Sequence, residues 1–239
     1  MRKVSGMENR IKILCTRGIS TALVDEAWAN SIQVDVVPFI TTVPIENIEV
    51  QQEIENTLLL SATIVFTSMN AVEAVALFLQ DIIPAWRIYC IGNTTRELVV
   101  KYFGEHSVAG FAQDARDLAN LLVSEKEKVE EVIFFCGNQR RPELPGVLEA
   151  HKKSVQEIIV YETIALPQKI HPFYHGILFF SPSAVESFFT LNKATDGTIF
   201  FAIGKTTAAA IKSFCNNKVI ISDQPGKENL VETMLEYFT

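Results

Sequence analysis

The sequence is poor in residues that announce a chemistry by themselves. Its four histidines never pair at helical ligand spacing: His171 and His175 are four apart, but Pro172 between them breaks the helix that would align them. The four cysteines, Cys15, Cys90, Cys136 and Cys215, are scattered, and no two stand at zinc-ligand or redox spacing. Three of them sit in or at the end of apolar runs, so buried, reduced thiols and no metal are expected. No GxGxxG or GxxxxGK[ST] loop follows a strand, and no GxSxG elbow occurs, which removes the usual nucleotide cradle and the usual serine hydrolase. No aspartate ends a strand in the manner of a phosphate-accepting receiver module. No apolar run approaches membrane-spanning length, and the polar start MRKVSGMENR has no apolar stretch behind it to make a signal peptide. A basic tract is missing too: the net charge of −7 is spread along the chain, which disfavours general nucleic-acid binding. A cytoplasmic protein with neither a membrane nor a nucleic-acid partner is expected.

What is present is a repeat. ILFFSPSAVESFF (177–189) restates IVFTSMNAVEAVALF (64–78), each an apolar run ending at a serine, Ser68 or Ser181. RIYCIGNTT (87–95) returns as TIFFAIGKTT (198–207), and QDARDLANLL returns as PGKENLVETM. The offset is 113 residues at the serines and 112 at Gly92 and Gly204, so the order and spacing indicate an internal duplication. Asn70 with Glu73 and Ser183 with Glu186 fit the capping box, which predicts a helix opening at each of those two residues.

The remaining quarters are alike as well. IKILCT (11–16), an Arg-bearing turn, a helix over about 20–30 and VDVVPFI resemble VIFFCG (132–137), the loop NQRRPELP, a short helix and SVQEIIVYET. Charged SEKEKVEE (124–131) between the middle quarters reads as a solvated helix end or loop. Two Pro-containing stretches, after Phe39 and over 163–171, read as crossings between domains. They suggest a discontinuous first domain of 1–39 plus 170–239, a second of 46–161, and connectors at 40–45 and 162–169. The alternative pairing, first quarter with second and third with fourth, is not excluded by composition; the short charged link favours the swapped one. Alternating strands and helices predict parallel sheets covered on both faces.

In such sheets ligands lie beyond the carboxyl ends of the strands, where helix N-termini present unpaired N–H groups. The polar residues expected there are Arg17, Thr67, Ser68, Asn70, Gly92, Asn93, Thr94, Gly137, Asn138, Arg140, Ser181, Ser183, Gly204, Lys205, Thr206 and Gln224. They are mostly hydroxyls, amides and glycines. Singly, each is most simply a helix cap; as a set doubled in both halves they suit a large anionic ligand. Tyr161 ends a buried strand just before the second crossing. The plain reading is a tyrosine packing a linker, yet a phenol near pKa 10 remains a proton or hydrogen-bond donor at neutral pH.

Together VFTSMNAVEA, YCIGNTT, FFCGNQRRPELPGVL, VYET, LFFSPSAVESF, FAIGKTTAAAI and SDQPGKENLVETML resemble the uroporphyrinogen-III synthase family, from about Ile11 to the end. The resemblance implies two similar α/β domains, each a parallel five-stranded flavodoxin-like sheet with helices on both faces, joined by a two-stranded linker. It implies cyclisation of hydroxymethylbilane to uroporphyrinogen III with loss of water and inversion of ring D, in tetrapyrrole biosynthesis and without a cofactor. It assigns Tyr161 to departure of the hydroxymethyl oxygen, and Ser68, Ser181, Ser183 and Thr206 with the backbone near Gly92, Asn93, Gly204 and Lys205 to holding substrate; Arg17, Thr67, Asn70, Thr94 and Asn138 are expected to join them as polar residues at strand ends. A monomer with room for transient contact with neighbouring pathway enzymes is expected. The first copy departs from the Ser-Pro that members often carry, having Met69 after Ser68. A two-domain tetrapyrrole-binding protein without catalysis is the alternative.

Overall fold

A computed structural model describes residues 10–125, 129–224 and 226–239. The start of the chain, the middle of the charged run 124–131 and Pro225 lie outside the described residues. By their contacts the residues form two compact units, the chain up to Thr41 with Ile164–Thr239, and Thr42–Thr163.

In the first unit, β1 (Ile11–Cys15), α1 (Thr21–Ala29) and β2 (Ile32–Val36) are joined by β9 (Gly176–Phe179), α7 (Pro182–Leu191), β10 (Ile199–Ala202), α8 (Lys205–Phe214), β11 (Val219–Ile221) and α9 (Lys227–Phe238). The five strands lie parallel in the order β11-β10-β9-β1-β2. Successive strand side chains point to opposite faces. Leu14, Phe179 and Phe200 therefore meet α7 and α8 on one face, while Ile13, Cys15, Leu178 and Phe201 meet Ala27 of α1 and Val231 of α9 on the other. Each fully buried phenylalanine contributes about 2–3 kcal/mol.

The second unit contains β3 (Ile40–Pro44), α2 (Ile48–Leu58), β4 (Ala62–Phe66), α3 (Met69–Ala76), β5 (Trp86–Ile91), α4 (Asn93–Phe103), β6 (Val108–Ala112), α5 (Ala115–Ser124), β7 (Glu131–Gly137), α6 (Glu143–Ala150) and β8 (Ser154–Ala165). Its strand order is β3-β8-β7-β4-β5-β6. Ile64, Phe66, Phe135 and Val160 pack with residues of α2, α3 and α4; Val65, Tyr89 and Phe134 pack with residues of α5 and α6. Phe66 stacks on Phe135, and Trp86, whose Nε1 donates to the Thr57 carbonyl, packs against the same ring.

Two expectations are corrected. The second sheet has six strands and is mixed, because the outgoing connector β3 pairs with the edge of β8. The bonds from Ile45 N to Val160 O (3.0 Å) and from Leu166 N to Phe39 O (2.8 Å) run antiparallel. Pro44, which has no N–H to give, is tolerated on this edge strand. The helix caps also lie two residues earlier than expected. Ser68 and Ser181, extended and at the strand ends, accept from Asn70 N and Ala184 N at 3.2 Å each. Asn70 and Ser183 fall inside the first turns. Met69 and Pro182 suit the opening helical position, and proline's missing N–H costs nothing there.

Candidate functional site

In each sheet two neighbouring strands send their chains to opposite sides, and the loops beyond that point diverge to leave room for a ligand. In the first unit the strands are β1 and β9, and in the second β7 and β4.

At the first of these points Thr16, buried, closes the seam: its Oγ1 donates to the Leu178 carbonyl at 2.7 Å. Arg17 follows it, exposed, and its carbonyl accepts from Cys15 Sγ at 3.0 Å. Ser181 follows β9 and caps α7, with Ser183 one residue into the helix. Next to β9, β10 leads to Gly204, the N-cap of α8, which has no side-chain cap and open space where a β-carbon would be. The N–H groups opening α8 therefore belong to a helix start without a side-chain cap, the kind of helix end that attracts an anion. Lys227 opens α9, again without a side-chain cap. Its pKa is lowered, first by burial and next by the positive charge of Arg17. Two cations within each other's field repel one another and together attract a carboxylate. Lys227 is the residue that reading the sequence missed; its place at the start of the helix after β11 was the available signal.

The second unit repeats the plan. Thr67 and Ser68 end β4, with Asn70 in the first turn of α3, all half-buried. Gly92 caps α4 with φ +71°, a left-handed conformation that favours glycine, and has no side-chain cap. Its N–H donates to the Ala112 carbonyl at 2.8 Å, while Asn93 and Thr94 are exposed at the helix start. One turn on, Arg96 bonds Glu105 at 2.7 Å and lies 4.6 Å from the Phe111 ring centre. Beyond β7, Asn138 is exposed; its N–H donates to the Tyr161 carbonyl at 3.2 Å, and its Oδ1 accepts from Thr163 N at 2.9 Å. Arg140 is spent in an ion pair with Glu157. Back in the first unit, Gln224 is exposed, and its carbonyl accepts from Ser222 Oγ at 2.7 Å in the turn before α9.

Tyr161 is half-buried against the core below β8, and its ring lies over Gly137. Among the described residues its hydroxyl has no hydrogen-bond partner. Arg17, Ser181, Ser183, Gly204, Lys205 and Thr206 thus share one strand-end rim, and Thr67, Ser68, Asn70, Gly92, Asn93, Thr94, Asn138 and Tyr161 share the other. Both rims carry hydroxyls and helix-start amides, a chemistry that binds carboxylates and donates hydrogen bonds. Among the described residues no group of three His, Cys, Asp or Glu side chains gathers as a metal site, and no helix is long and apolar enough to cross a membrane.

The family model described as uroporphyrinogen-III synthase HemD matches residues 21–232. Among solved structures, uroporphyrinogen-III synthetase from Helicobacter pylori 26695 is similar with a TM-score of 0.65 at 17% identity, covering 95% of this chain and 99% of that one. A mutant uroporphyrinogen III synthase from the extremely thermophilic bacterium Thermus thermophilus is similar with a TM-score of 0.63 at 12% identity, covering 95% and 97%. At these identities the two structures speak for the fold.

Proposed function

The chain belongs to the uroporphyrinogen-III synthase family, and we propose that the two strand-end rims are where it holds its substrate. It is a uroporphyrinogen-III synthase of haem biosynthesis: it cyclises linear hydroxymethylbilane to uroporphyrinogen III, losing water and inverting ring D.

The substrate carries acetate and propionate groups on every pyrrole, a flexible polyanion. Carboxylates are received by the amides opening α4 and α8, by the hydroxyls of Ser68, Ser181, Ser183, Thr67, Thr94 and Thr206, and by Arg17, Lys205 and Lys227. A charge at a helix start gains about 0.3–1 kcal/mol, so affinity comes from many such contacts and not from any one. Tyr161 donates a hydrogen bond to the hydroxymethyl oxygen. The carbon–oxygen bond then breaks with its electron pair on oxygen, and the pyrrole nitrogen carries the positive charge. The oxygen takes the phenol proton of Tyr161 and leaves as water, and the proton that ring D loses as the macrocycle closes restores the phenol. That step is already helped by the ring nitrogen. The protein's larger task is to hold the chain so that the carbon closing the ring is the substituted carbon of ring D, catalysis by orientation and by choice between routes.

Each unit is read as flavodoxin-like, with the two quarters of the second unit in reversed chain order. The protein works as a cytoplasmic monomer and needs no cofactor. The observation that carries the reading is the doubled pair of a serine-capped helix beside a glycine-started helix at strand carboxyl ends. Amide hydrogen exchange with and without uroporphyrinogen III tests it. Protection is expected at the first turns of α3, α4, α7 and α8, and protection confined to the amino ends of the strands would overturn it.

A further inference from the structure

The register of β8 slips where Tyr161 lies. Cys136 of β7 pairs with Ile159, but the next residue, Gly137, pairs with Tyr161, so Val160 is the extra residue. Side chains along a strand alternate, yet Val160 and Tyr161, consecutive, both pack on the core formed with α2, α3 and α4. Such a slip turns a side chain to a face it would otherwise avoid, a device found beside active sites.

The turned ring then needs a floor without a side chain. A β-carbon built on Gly137 would stand 2.6 Å from Tyr161 Cε2 and 2.8 Å from its hydroxyl oxygen, with Cζ closer still. Gly137 is buried and its φ is not in the left-handed region, so its backbone does not require glycine; the tyrosine ring does. Asn138 holds the same strand by two bonds, to the Tyr161 carbonyl and from Thr163 N.

We propose that Gly137 is a positioning residue for the reaction: its bare backbone, with the register slip and the Asn138 clasp, seats the Tyr161 ring and aims its hydroxyl. This rests on the reading of Tyr161 as the group that meets the leaving oxygen. The atoms that a new methyl would strike are the far end of a side chain that can swing aside. Gly137→Ala therefore moves the phenol and leaves the fold in place.

Steady-state kinetics of Gly137→Ala, Tyr161→Phe and the double variant test it. Gly137→Ala should lower kcat by about tenfold or more, since misplacement by an ångström is that costly. KM should stay within about twofold, and the thermal midpoint within about 4 °C. Added to Tyr161→Phe, it should change kcat by less than about twofold, because the two act through one hydroxyl. An unchanged kcat in Gly137→Ala while Tyr161→Phe falls overturns the proposal, as does full additivity. Unchanged turnover in Tyr161→Phe, read with Gly137 intact, overturns the underlying role of Tyr161 instead. Should Gly137→Ala lose its thermal transition, Asn138→Ala loosens the same clasp from an exposed position, and an unchanged kcat there overturns the proposal.

Discussion

Thr16 ties β1 to β9 where the two strands part: its hydroxyl and its N–H both reach the Leu178 carbonyl, at 2.7 and 3.1 Å. This pair of hydrogen bonds keeps the roots of Arg17 and Ser181 at a fixed spacing. Thr16→Val removes the hydroxyl and leaves the N–H bond, so the cost is that of one buried hydrogen bond, about 1 kcal/mol. A lowered urea midpoint with an unchanged slope is the expected result, and Thr16→Ser should restore most of it.

Ser68 and Ser181 each satisfy one helix-start N–H at 3.2 Å. Ser68→Ala and Ser181→Ala should each cost about 1 kcal/mol in chemical denaturation, and the glycine variants only a few tenths. Both alanine variants should also raise KM, since the same hydroxyls face the proposed substrate.

Burial pushes the thiols of Cys15 and Cys90 up to about 11 and that of Cys136 to about 12, from an ordinary 9.0. Burial and the bond to Asp35 push Tyr174 up to about 12. As pH rises the unfolded chain gives up these protons first. The stability they contribute is whole below pH 9 and is lost as pH climbs toward 11 and 12. Lys227, lowered chiefly by burial, works in the opposite sense. The urea midpoint should fall between pH 8 and pH 10.5, and Cys136→Ala should flatten that fall.

Arg17 and Lys227 lie in each other's field and form no ion pair among the described residues. Lys227→Ala should raise KM severalfold with little change in kcat, the mark of lost uniform binding. Because salt screens exposed charges over about 8 Å at physiological strength, the KM of the parent should rise with ionic strength and that of the variant less so. Equal salt dependence in both would remove Lys227 from the site.

Much of this arrangement is legible in the sequence because strands such as ILFF and IVF are continuous apolar runs closed by serine, and a period of two leaves little choice of face. The helix expected from about residue 20 starts there, with Ser20 capping α1 as a serine does. The capping-box pattern misled because two polar residues compete at each turn. Ser68 and Ser181 won by lying at the strand end with extended backbone, which local sequence does not display. ITTVP itself does not show the sixth strand, because β8, its partner, lies more than a hundred residues on; only the two-stranded linker implied by the family resemblance pointed to that pairing. The seat under Tyr161 was hidden for the same reason, since a glycine's use depends on which ring lies above it. Lys227 escaped because a lysine opening a helix reads as solvated surface until the fold brings Arg17 beside it.

Product-isomer analysis tests the central claim most directly. Freshly prepared hydroxymethylbilane closes by itself to the type I macrocycle, so the ratio of isomers reports steering and not merely closure. With the protein present, type III should dominate. Type I alone, from folded protein that binds the substrate, would contradict the account and leave a tetrapyrrole-binding protein in its place.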